Sequence, residues 1–132
     1  MTNLKSAFAD CYSLKEVNLP STQNVTSFID AFKSCFSLER INELDFNSCT
    51  DSSVDISCNK LINIGSIKNI KMNFNVSGSP CLHKETLLRI LNALYDYSTS
   101  EATYTLALGT ANLSKLTDEE IAIATNKGWN VS

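Results

Sequence analysis

One eleven-residue stretch occurs twice in this chain, 24 residues apart, and it constrains the fold more than any other feature. Ala7-Phe8-Ala9-Asp10-Cys11-Tyr12-Ser13-Leu14-Lys15-Glu16-Val17 returns as Ala31-Phe32-Lys33-Ser34-Cys35-Phe36-Ser37-Leu38-Glu39-Arg40-Ile41. The Ala, Phe, Cys, Ser and Leu positions recur identically, Tyr12 becomes Phe36 and Val17 becomes Ile41. A unit this short cannot bury both of its sides alone, so successive copies must stack. Leu14, Val17 and Leu19 have the LxxLxL spacing of a coil whose short strand turns Val17 and Leu19 inward. Ala7, Phe8 and Cys11 fall on the return segment and point to the same core. Cys11 and Cys35 then lie one above the other, as small apolar fillers rather than a bridge.

The pattern AFxxCxSLxxI/VxLP, which Ala7 to Pro20 fits closely, resembles the BspA-like class of leucine-rich repeats. The resemblance implies an α/β solenoid with one parallel sheet, irregular coils in the first half and strand-helix units in the second. The second copy departs after Ile41, where Asn42-Glu43-Leu44-Asp45-Phe46 inserts a residue before the next apolar position. A degraded third copy is traced through Cys49, Val54, Ile56, Leu61, Ile64 and Ile67, across the polar stretch 47–60.

From residue 68 the units lengthen. Met72, Phe74 and Val76 alternate with polar neighbours, as in a half-buried strand. Gly78-Ser79-Pro80 reads as a turn. Residues 83–97 have helical periodicity, with Leu87, Leu88, Leu91, Leu94 and Tyr95 on one face. Residues 103–108 alternate again, and 112–116 read as a short loop or turn. Thr117-Asp118-Glu119-Glu120 has the capping-box pattern of a second helix, which Asn126-Lys127-Gly128 ends. Trp129-Asn130-Val131 is a last strand. The stretch from Leu106 through Trp129 also resembles the terminal caps of repeat proteins from gut bacteria and their phages. The whole is therefore expected to be a single domain, 1–132, with BspA-like coils over 1–67 and longer repeats with a cap over 68–132.

Charge and chemistry narrow the function. A net charge of −3, without a basic run, argues against a nucleic-acid partner. No apolar stretch is long enough to span a membrane. The opening Met1-Thr2-Asn3-Leu4-Lys5 is followed by no apolar h-region, so folding in the cytoplasm is expected, with later display on a virion or surface as part of a larger assembly. Five cysteines, an odd count without CxxC spacing, read as free and mostly buried thiols in a reducing compartment. His83 is the one histidine and has no partners for catalysis or zinc; it reads as a residue at a helix start. Asp118, Glu119 and Glu120 read as a helix cap rather than a metal site. Gly65, Gly78, Gly109 and Gly128 never form a phosphate loop. Neither an enzyme nor a cofactor is expected.

The outward neighbours of the inward strand positions remain: Glu16, Asn18, Arg40, Asn42, Lys71, Asn73, Asn75, Thr103, Thr105 and Asn130. They are expected to form one polar row on the sheet, suited to a protein or glycan ligand. This implies a recognition module of a bacterial surface or phage virion protein. The alternative is an assembly module. Its uncapped first coil, with Leu4, Phe8 and Leu14, would dock onto a preceding domain or a second copy.

Overall fold

The computed structural model describes residues 2–132 and is mixed α/β, with parallel sheets and three helices. In order along the chain these are β1 (Glu16–Val17), β2 (Arg40–Ile41), β3 (Leu44–Asp45), β4 (Ser53–Asp55), β5 (Asn63–Ile64), β6 (Ile67–Lys68), β7 (Asn73–Asn75), α1 (Lys84–Ala93), β8 (Tyr104–Ala107), α2 (Thr110–Leu113), α3 (Asp118–Asn126) and β9 (Trp129–Val131). Every strand pairing is parallel, and the first follows the sequence repeat: Val17 lies beside Ile41, and Ile41 beside Ile64. Each circuit of chain thus returns to lie beside the previous one.

The expectation of a single sheet is corrected. There are three, ordered β1-β2-β5, β3-β6 and β4-β7-β8-β9. The cause lies in the residue inserted after Ile41. Ile41 and Leu44 are three apart, yet both are fully buried. A straight strand would send one inward and the other outward. The chain must turn a corner at Asn42-Glu43, and the strand beyond it joins a different sheet. The next circuit repeats the corner between Ile64 and Ile67. There Gly65 is needed, because an added Cβ would lie 2.7 Å from the Asn42 carbonyl oxygen.

The arm preceding each of the first strands is a run of turns. Ser6 and Asp10 take φ of 56° and 62°, and their counterparts Asp30 and Ser34 take 55° and 61°. The left-handed conformation interrupts any helix there and aims alternate amides at the next circuit. Ser6 and Phe8 donate to the carbonyls of Ile29 and Ala31, both at 2.9 Å. Phe8 stacks flat on Phe32 and Tyr12 on Phe36, with centroids 5.6 and 5.5 Å apart. The third copy begins later than its sequence suggests. Cys58, not Cys49, takes the place of Cys35, since its thiol points to the Phe32 carbonyl as that of Cys35 points to Phe8.

The helices close the far side. Thr86 of α1, itself buried, accepts the Ile64 amide at 3.2 Å, and Arg89 donates to the Ile64 carbonyl, so α1 covers the β5 edge. The helix ends at Ala93, short of the expected 97. Tyr95 is 51% exposed rather than a core residue, because Leu94 has already left helical geometry. Residues 110–113 form α2, which takes in the first part of the loop or turn expected over 112–116 and places buried Asn112 beneath three carbonyls: Leu108 at 2.9 Å, Ser79 at 3.1 Å and Val76 at 3.4 Å. The capping box at Thr117 and Glu120 is formed. Gly128, at φ 87°, ends α3 where a side chain would be strained. One apolar cluster runs through the molecule, from Leu4 to Trp129.

Candidate recognition surface

Six of the ten expected surface residues fall on strands, and these belong to two sheets rather than one. Glu16 and Arg40 are Cα partners on β1 and β2, with Asn63 next in that row. Asn18 and Asn42 sit at the following corner. Asn73, Asn75, Thr105 and Asn130 belong to the β4-β7-β8-β9 sheet, and Thr103 is exposed just before β8. Lys71 is half-buried outside any strand, and its carbonyl accepts the Tyr97 hydroxyl at 2.9 Å. The two groups lie on separate sheets because of the corners that divide each circuit.

On the larger sheet the strands align Ser53 with Asn73, Val54 with Phe74 and Asp55 with Asn75, and farther along Thr105 with Asn130. Phe74 and Leu106 face the core, so their polar neighbours face outward. A shallow depression of about 190 Å³ runs over Ser53, Asp55, Asn73, Asn75, Thr105 and Ala107. Two neighbouring depressions, lined by Asp30 with Lys33 and by Asp30 with Asp51, also reach Asp55. Ser53 and Asp55 were missed because 47–60 looked aperiodic. The signal was present in the alternation of Ser53, Asp55 and Ser57 with Val54, Ile56 and Cys58.

Not every polar group in the row is available. The Asn73 carboxamide oxygen accepts the Thr105 amide at 2.8 Å, binding one strand to the next. Asn75 accepts both the amide and the hydroxyl of Ser77. Asp55 holds Ser57, and Asp51 accepts Ser27 and the Phe28 amide. Among the described residues, the side chains of Ser53, Thr103, Thr105 and Asn130 make no hydrogen bond within the chain, so their donors and acceptors face solvent. At the corner after β2 the Asn42 carboxamide is held by Leu19. Its oxygen accepts the Leu19 amide at 2.7 Å and its nitrogen donates to the Leu19 carbonyl at 2.8 Å.

His83 is exposed and occupies the N-cap of α1 without a side-chain capping bond. The expectation of mostly buried thiols is corrected in part. Cys35 and Cys58 are buried, Cys11 and Cys49 half-buried and Cys81 exposed, and all five are free. Burial pushes the Cys58 thiol up to about 12 and that of Cys49 to about 11, and it raises Cys35. These thiols stay protonated near neutrality and are poor nucleophiles. No helix is long and apolar enough to cross a membrane among the described residues. Comparisons of the chain with protein-family models, with curated proteins and with solved structures return no match.

Proposed function

We propose that the chain is a short BspA-like leucine-rich-repeat solenoid acting as a non-enzymatic recognition module of a bacterial surface or phage virion protein. Its ligand is a protein or a cell-surface glycan, held on the outer face of the β4-β7-β8-β9 sheet. The observation that carries this reading is the row of solvent-facing Ser53, Thr105 and Asn130 beside the depression over Asp55. Unpaired hydroxyls and amides on strands cross-linked by Asn73 are held in place before a ligand arrives, which lowers the ordering cost of binding. The acidic side chains of Asp30, Asp51 and Asp55 around the same depressions favour a polypeptide carrying basic groups.

Screening the protein against peptide and glycan arrays, then titrating the best ligand by NMR, tests this. Amide shifts should concentrate at Ser53, Asn73, Thr105 and Asn130, and Thr105→Arg should weaken binding about tenfold while leaving folding intact. Shifts confined to the Glu16–Arg40 row would move the site to the other sheet. The second reading, assembly through the first circuit, is favoured by the half-buried Phe8 and Leu14, whereas Leu4, expected on the same face, is buried within its own chain.

A further inference from the structure

Two kinds of side-chain hydrogen bond recur from circuit to circuit, a third occurs once, and each reaches back to the preceding circuit. The Thr26 hydroxyl donates to the Thr2 carbonyl at 3.0 Å, and that of Thr50 to the Thr26 carbonyl at 3.2 Å. The Cys35 thiol donates to the Phe8 carbonyl at 3.0 Å, and Cys58 points in the same way to Phe32 at 3.8 Å. The Asn42 amide clamps both backbone groups of Leu19. The first members of these series are Thr2, Cys11 and Asn18. Among the described residues their side chains make no hydrogen bond.

Burial follows the same pattern. Ala31, Phe32, Cys35 and Leu38 are 1, 2, 0 and 0% exposed. Their counterparts 24 residues earlier are less covered: Ala7 is exposed, and Phe8, Cys11 and Leu14 are half-buried. Among the described residues the second circuit has a layer on each side, whereas the first has one. β1 likewise has a neighbour on one side only. Charge adds specificity. Glu16 pairs in register with Arg40, and Glu39 donates its amide to the Lys15 carbonyl, so Lys-Glu in one layer faces Glu-Arg in the next. A layer with Lys-Glu in the same places would set like charges opposite each other.

We propose that this open face is a docking surface for one further polypeptide layer of the same repeat type. It lies in parallel register, with an acidic residue opposite Lys15 and a basic one opposite Glu16. Thr2, Cys11 and Asn18 donate to its backbone as Thr26, Cys35 and Asn42 do within the chain. The proposal rests on the repeat-solenoid reading above but not on the ligand face. A second copy related by a twofold axis does not offer that register. A twofold contact between two such faces reverses either strand direction or the inside-outside order of side chains.

The test joins a copy of residues 26–49 directly ahead of Thr2 in the full chain. Maleimide labelling of the native protein, followed by mass spectrometry, then reads each cysteine. Cys11 labelling should slow about tenfold or more, to the rate of Cys35. A fusion carrying a copy of residues 2–25, with the Lys-Glu order, should protect it less. Cys11 labelled as fast as before, with Cys35 still protected, overturns the proposal. Protection of Cys11 in the unextended chain that grows with protein concentration also overturns it, because it makes a second copy the occupant. Asn18→Ala and Asn42→Ala in the unextended chain provide a check that does not depend on a fusion folding. Asn42→Ala should lower Tm, whereas Asn18→Ala should leave it unchanged. Equal losses would mean that Asn18 already clamps its own chain, which sinks the idea. None of these changes touches Thr105 or Asn130, so the docking face and the ligand face fail separately.

Discussion

Single side chains in this molecule hold one circuit to the next, and their value depends on what they would leave unpaired. Asn112 is the clearest case. It is fully buried and donates to the carbonyls of Leu108, Ser79 and Val76, while its oxygen accepts Lys115 at 3.1 Å. Asn112→Leu keeps the branched shape but leaves buried carbonyls without donors. It should cost about 2–3 kcal/mol in a urea titration; a loss below half of that would mean that water replaces the amide. The buried thiols make a second prediction. Cys58 and Cys49 have folded pKa values of about 12 and 11 against an ordinary 9.0, and burial raises Cys35 in the same direction. The neutral thiol is the form the fold accepts. Its contribution is therefore complete below pH 9.0 and is lost as pH rises toward 12. Stability measured from pH 8 to 11 should fall less steeply in Cys58→Ala than in the native chain, and parallel curves would remove the thiol as the cause.

At the scale of elements, the two longer helices each take a terminal partner from outside themselves. α1 has no basic residue in its last turn. Lys127, beyond the end of α3, places its ammonium on the carbonyls of Leu91 and Leu94, both at 3.1 Å, and so supplies the cation that a helix C-terminus favours. Lys127→Met should cost about 1–3 kcal/mol, since charge-assisted bonds to otherwise orphaned carbonyls are lost. Equilibrium unfolding with circular dichroism measures it, and an unchanged midpoint would show that solvent serves α1 equally well. α3 is held at its other end by the box between Thr117 and Glu120, with Lys84 of α1 at 3.0 Å from the Glu120 carboxylate. The Thr117 amide, then Lys84, lowers the Glu120 pKa. Stability from this group is present above the ordinary carboxylate range and lost as pH falls through the lowered value. Thr117→Ala should lower stability by about 1 kcal/mol at neutral pH. The loss from Glu120→Gln, which removes the charge, should be smaller at pH 3 than at neutral pH, and an equal loss at both values would argue that the ionised carboxylate takes no part.

At the scale of the whole molecule the chain is unevenly closed. Helices cover one side, where α1 seals the β5 edge through Thr86 and Arg89. The first circuit lies at the opposite side, with β1 an open edge. Its amides at Ser6, Phe8 and Asp10 are bonded only to the second circuit. Local opening of residues 4–25 exposes less apolar surface than opening of residues 61–76, which have a layer on each side. Hydrogen exchange should therefore be fastest in the first circuit and slowest at Ile64, Ile70 and Phe74. Uniform exchange at the rate of global unfolding would instead mark the molecule as one cooperative unit.

Much of this was legible beforehand. The 24-residue recurrence of Phe8, Cys11 and Leu14 with Phe32, Cys35 and Leu38 set the parallel register. The alternation at Met72, Phe74 and Val76 and the Thr117–Glu120 box set later elements, because each depends on residues close together in the chain. The division into three sheets was not legible as such. Ile41 and Leu44 both being inward becomes a corner only when the neighbouring circuit requires both to be buried. The candidate surface was divided for the same reason. Outward-facing Glu16 and Asn73 look equivalent in a strand pattern, but which sheet each joins is decided by how the chain turns between them. Whether a polar group is free is also a tertiary matter. Asn18 and Asn42 have the same local sequence position, yet one faces solvent and the other holds Leu19, because among the described residues only the second has a circuit before it.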